Sequence, residues 1–143
     1  MGEARLDYAS VAVGDRAPVL THTLTRADLV EYAGASGDFN PMHTDEVAAT
    51  EAGLRGVFGH GMFSAGLLAT ALINWVGIGN LVRYRVRFAK QTWPGEKFHT
   101  DIVVTASRVE DGHHTVEMTC TLANDEGEVK VAGEATASVP VAG

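Results

Sequence analysis

The chain has 143 residues, 45% apolar and 20% charged, a balance that suits one folded domain over residues 1–143 with a core large enough to need no staples. Its net charge of -7 excludes general affinity for nucleic acid or for an anionic membrane, since both depend on a surplus of lysine and arginine. A single cysteine, Cys120, excludes an internal disulfide and fits a reducing compartment.

Glu3, Arg5 and Asp7 stand where a secretory leader would carry basic residues before an apolar run, so a cytoplasmic protein is expected. Val19 to Leu24 alternates enough for a first strand. Thr25 then offers an N-cap with Asp28 three positions on, which predicts a helix to about Gly34 with Leu29, Val30 and Ala33 on its apolar face. A loop through Asp38 and His43 follows, and Thr44-Asp45-Glu46 opens a short helix that Gly53 can end.

From His60 to about Trp75, Met62, Phe63, Leu67, Leu68, Ala71, Leu72 and Trp75 recur every three or four positions. Ser64, Thr70 and Asn74 interrupt the apolar run, so it is no membrane span. A helix this apolar all round predicts burial, with other elements wrapping it on most sides. Leu81–Ala89, Phe98–Val109, His114–Ala123 and Val129–Val139 alternate with period two, and Cys120 falls on a buried face. Turn residues at 93–96, 110–113 and 124–127 make the connections short, which favours antiparallel neighbours. The expected architecture is α+β, a curved antiparallel sheet around a long central helix. Such a sheet leaves an edge and a helix flank open, so a dimer is expected.

The loop Ser36-Gly37-Asp38-Phe39-Asn40-Pro41-Met42-His43 sets a carboxylate and an imidazole five residues apart across a proline, which stiffens the chain between them. A histidine titrates near neutral pH and is a natural general base. At the start of the long helix, Gly61 can offer a first-turn N–H to a developing oxyanion. The plainer reading of Asp38 to Pro41 is a turn between helices, because these are common turn residues.

The block Tyr32 to His43, with Gly59-His60-Gly61-Met62 after it and a strand such as Tyr84 to Phe88 beyond, resembles the MaoC-like family of (R)-specific enoyl-thioester hydratases and 3-hydroxyacyl-thioester dehydratases, and within it the small actinobacterial-type dehydratase subunits. The resemblance covers nearly the whole chain. It implies a hot-dog fold whose overhanging segment carries the catalytic loop, with Asp38 and His43 as the catalytic dyad and Gly61 as the oxyanion donor. Asn40, Pro41 and His60 would brace the loop. It further implies reversible syn addition of water to a trans-2-enoyl thioester in fatty acid metabolism, with no metal or redox cofactor and a substrate carried on coenzyme A or phosphopantetheine. Met42 stands where a branched apolar residue is more usual. A hydroxyl on the central helix assists in some members, and neither Ser64 nor Thr70 is assigned to that role. Two alternatives remain: a hot-dog thioesterase, and a supporting subunit of a heterodimeric dehydratase.

Arg83, Arg85 and Arg87, with Lys90 nearby, concentrate positive charge on one strand face of an acidic chain. They read either as a solvated face or as a contact for carrier phosphates or an acidic carrier protein, in a homodimer or a heterodimer with a related subunit. Asp38, His43 and His60 could be drawn as a metal set, but paired helical ligands are lacking and no metal is expected. His22, His99, His113 and His114 read as solvated surface residues.

Overall fold

A computed structural model describes residues 4–142; Glu3 lies outside the described residues. In chain order these form β1 (Thr21–Thr23), α1 (Arg26–Ser36), a 3-10 turn (Pro41–His43), α2 (Glu46–Glu51), α3 (Gly61–Val76), β2 (Leu81–Phe88), β3 (Lys97–Glu110), β4 (His113–Asn124) and β5 (Val129–Pro140). The strands make one antiparallel sheet in the order β1-β3-β4-β5-β2.

Local chemistry accounts for the helix ends. Thr25 caps α1 by accepting from the Asp28 N–H, and the Asp28 side chain accepts from the Thr25 N–H, so two first-turn donors are satisfied together. The first strand is shorter than the alternation of Val19–Leu24 suggested. Leu24 turns inward at the turn, where its N–H donates to the Glu96 carbonyl at 2.9 Å rather than to a sheet ladder.

Helix α3 lies against one face of the sheet. Leu68 and Leu72 pack with Ile102, Val104, Val116, Met118, Leu122 and Val131 in the core, and Cys120 is buried among them with its thiol pushed up to about 11 by that burial. Tyr84 of β2 clips the strand to the helix, its hydroxyl donating to the Ala65 carbonyl at 2.7 Å. The wrapping is nonetheless one-sided: Met62 is 60% exposed, and Gly66 and Thr70 continue that open flank. A single sheet reaches only one side of a helical cylinder.

The short connection before β3 does not join neighbours. β2 pairs with β5 (Tyr84↔Ala135, Val86↔Gly133) while β3 sits between β1 and β4. Residues 89–96 can reach up to roughly 25 Å when extended, and three strand spacings need only about 14 Å. Lys130, whose side chain is buried, holds this crossing segment by donating to the Gln91 carbonyl at 2.9 Å and pairing with Glu96 at 2.9 Å. Gly133 is required where β2 comes close, because a Cβ there would stand 2.0 Å from the Arg85 carbonyl oxygen.

Candidate active site

Helix α1 stops at Gly37, which adopts the left-handed conformation (φ 77) and turns the chain back, its N–H donating to the Ala33 carbonyl. Three side-chain acceptors then brace the loop in succession: Ser36 Oγ takes the Asp38 N–H at 3.1 Å, Asp38 Oδ1 takes the Asn40 N–H at 3.3 Å, and Asn40 Oδ1 takes the Met42 N–H at 3.1 Å. Pro41 opens the 3-10 turn that ends on His43. With Oδ1 engaged, Asp38 presents Oδ2 to His43 Nε2 at 3.9 Å.

His43 is 7% exposed and its Nδ1 lies 2.6 Å from the Phe58 carbonyl. A carbonyl oxygen only accepts, so the neutral ring is protonated on Nδ1 and turns an unprotonated Nε2 toward Asp38. The Phe58 ring closes one side of the imidazole edge-on at 4.7 Å. Asp38 keeps a half-exposed side chain, which leaves the gap between the two groups open to water.

The segment 58–61 links this pair to α3. The Gly59 N–H donates to the Thr92 carbonyl at 2.8 Å, and a Cβ on Gly59 would stand 2.1 Å from Thr92 Oγ1, so only glycine fits. His60 is the N-cap of α3, and Gly61 is its first residue, whose N–H has no intrahelical acceptor. A cleft of about 310 Å³ opens here, lined by Phe58, Gly61, Ser64, Phe88, Thr92 and Val131 among others. Asp38 and His43 stand outside that lining, behind Phe58 and His60, so the cleft and the dyad meet along 58–61.

Ser64 has no role that the sequence alone assigns. It is 1% exposed, lines the cleft, and its Oγ has no partner among the described residues. Its position one helical turn after Gly61 was the available signal. Thr70 is excluded from any such role, since it faces the open flank and its hydroxyl donates to the Gly66 carbonyl at 2.9 Å.

Arg83, Arg85 and Arg87 are exposed together on β2, at the edge of the sheet. Lys90 lies just beyond the strand, where it faces Glu128 at 3.4 Å and joins the lining of the cleft beside Phe88. His22 is not a solvated residue: it is half-buried and bonds Asp28 at 2.7 Å, recruited by the same carboxylate that caps α1.

Asp38, His43 and His60 each bring a possible donor atom within 4.8 Å of the others. The two imidazoles stack with centroids 4.0 Å apart and planes 28° apart. An ion lies in the plane of each ring that binds it, and stacked rings direct their lone pairs side by side rather than to one point. The set suits a held water better than a chelate.

The MaoC like domain profile matches residues 11–126. The chain is 32% identical over 126 residues to an (R)-specific enoyl-CoA hydratase of Rhodospirillum rubrum, covering 87% of this chain and 85% of that one. It is 42% identical over 74 residues to the 3-hydroxyacyl-thioester dehydratase X of Mycobacterium tuberculosis, where the match covers 51% of this chain and 25% of that protein. Among solved structures, the (R)-hydratase from A. caviae involved in PHA biosynthesis superposes with a TM-score of 0.81 at 26% identity, over 92% of this chain and 98% of that one. The fold is therefore the hot-dog fold, and the chain belongs to the MaoC-like domain family.

Proposed function

We propose that the chain is a hydro-lyase, an (R)-specific enoyl-thioester hydratase that also runs in reverse as a 3-hydroxyacyl-thioester dehydratase. The observation that carries this reading is the 3.9 Å gap between Asp38 Oδ2 and the unprotonated Nε2 of His43. That gap is too long for a direct hydrogen bond and lets one water sit about 2.8 Å from both atoms. His43 takes a proton from this water as its oxygen attacks C3 of the trans-2-enoyl thioester. Charge gathers on the thioester oxygen, where the Gly61 N–H at the positive end of α3 stabilises it, and Ser64 Oγ is a second candidate donor. The proton then passes to C2 on the same face, so the elements of one water are added and none is left over. Asp38 orients the water and stabilises the imidazolium. Asn40 and Pro41 keep the loop rigid, and His60 braces it from below.

In this reading the chain works as one hot-dog domain. The reaction is acid/base chemistry without net redox change, so it calls for no redox cofactor, and in this reading His43, Asp38 and the Gly61 N–H supply the base, the water orienter and the oxyanion donor in place of a metal. The acyl group arrives on coenzyme A or phosphopantetheine, and the exposed row Arg83, Arg85 and Arg87 suits the anionic carrier. The partner is a second copy or a related hot-dog subunit. Among the described residues no helix is long and apolar enough to cross a membrane, and the buried, unpaired Cys120 suits the cytoplasm.

The test is to supply crotonyl-CoA to the purified chain and follow enoyl absorbance and free thiol together. Loss of absorbance without thiol release, giving the 3R product, is expected. Thiol released in step with substrate would mark a thioesterase. No turnover of CoA or carrier-protein thioesters, alone or with a related subunit, would overturn the catalytic reading.

A further inference from the structure

The imidazole of His60 touches both members of the proposed dyad with different parts of its ring. Its Nε2–H donates to the main-chain carbonyl of Asp38 at 3.1 Å, while its face lies on that of His43 at 4.0 Å. The ring is 1% exposed, and Tyr32 of α1 closes it edge-on at 4.9 Å. Donation from Nε2 leaves a lone pair on Nδ1, which is buried and without a partner among the described residues. A side chain that only filled space would leave no buried acceptor unpaired, because that is costly. The titratable groups facing the ring are Asp38 and His43 from the loop and Tyr32 from α1; the His22–Asp28 pair lies beyond Phe63.

We infer that His60 is a positioning residue acting on both catalytic groups at once: it fixes the Asp38 main chain so that Oδ2 stays opposite His43, and it keeps a neutral ring against the base. This rests on the hydratase reading above. Burial holds the His60 ring below the ordinary histidine range, with His43 adding to the effect. That neutrality matters, since a charge on the stacked ring would oppose proton uptake by His43 from the catalytic water.

Two variants separate the two contacts. His60→Phe keeps a flat ring against His43 and loses the donor to Asp38; His60→Gln keeps an N–H donor and loses the ring. In each, kcat falls about 10-fold to 10²-fold, because small misplacements of reacting groups cost that much, while KM changes little. The acid limb of the kcat/KM profile moves in opposite directions. It shifts to lower pH in the Phe variant, as the Asp38 anion drifts from the base, and to higher pH in the Gln variant, as water reaches and solvates the protonated base. Folded variants with the parent's kcat and an unmoved acid limb overturn the proposal. Should neither variant fold, nitrogen NMR of the parent decides: a neutral His60 protonated on Nε2 at pH 7 is expected, and a proton on Nδ1 or a charged ring overturns it. Asp38→Asn serves as the reference, since full hydration by that variant would refute the hydratase reading rather than the role of His60.

Discussion

Asp38 uses its two carboxylate oxygens for different tasks, Oδ1 to hold the loop through the Asn40 N–H and Oδ2 to face His43. An amide at this position keeps the first task and loses the charge needed for the second. The arginines of β2 invite a matching experiment on binding. Reversing Arg85 and Arg87 to Glu is expected to raise KM for a carrier-borne substrate about tenfold with kcat kept, a loss of about 1.4 kcal/mol. An unchanged KM for both CoA and carrier-protein substrates would make them an ordinary solvated face. Asp38 and His43 stood out in the sequence because their chemistry and spacing are local. Ser64 did not, since its orphaned hydroxyl exists only once Phe88 and Val131 close the cleft around it. Nor did adjacency of Lys90 to Arg87 in sequence say anything of Glu128, which faces it across the fold.

The elements follow from capping and periodicity, and α3 carries most of the load. Leu72 is fully buried against the sheet, so Leu72→Ala is expected to lower stability by about 2–5 kcal/mol through lost burial and a residual cavity. Denaturant unfolding checks this, and a loss below about 1 kcal/mol would mean the helix is held chiefly from its other flank. Strand alternation gave β2 to β5 within a residue or so at each end. It could not give the partner of β2, because the turn residues at 93–96 signal a bend but not how far the chain then travels. That choice depends on the buried Lys130 and on the close approach of Gly133 to Arg85, which are long-range facts.

At the scale of the molecule, two surfaces look unfinished: the outer edge of β2, with Phe88 51% exposed at its end, and the open flank of α3 around Met62. Pairing these with a second hot-dog subunit would cover both, so sedimentation at micromolar concentration is expected to give twice the chain mass of 15.1 kDa. A stable species of 15.1 kDa would count against that assembly unless a related subunit restores it. If the Asp38–His43 pair adds water to an enoyl thioester, the rate of crotonyl-CoA hydration must depend on both side chains, which a comparison of the parent with Asp38→Asn and His43→Ala measures. The predicted result is turnover in the parent and a fall of at least about 10² in both variants with the fold retained; variants that hydrate crotonyl-CoA at the parent's rate would contradict it.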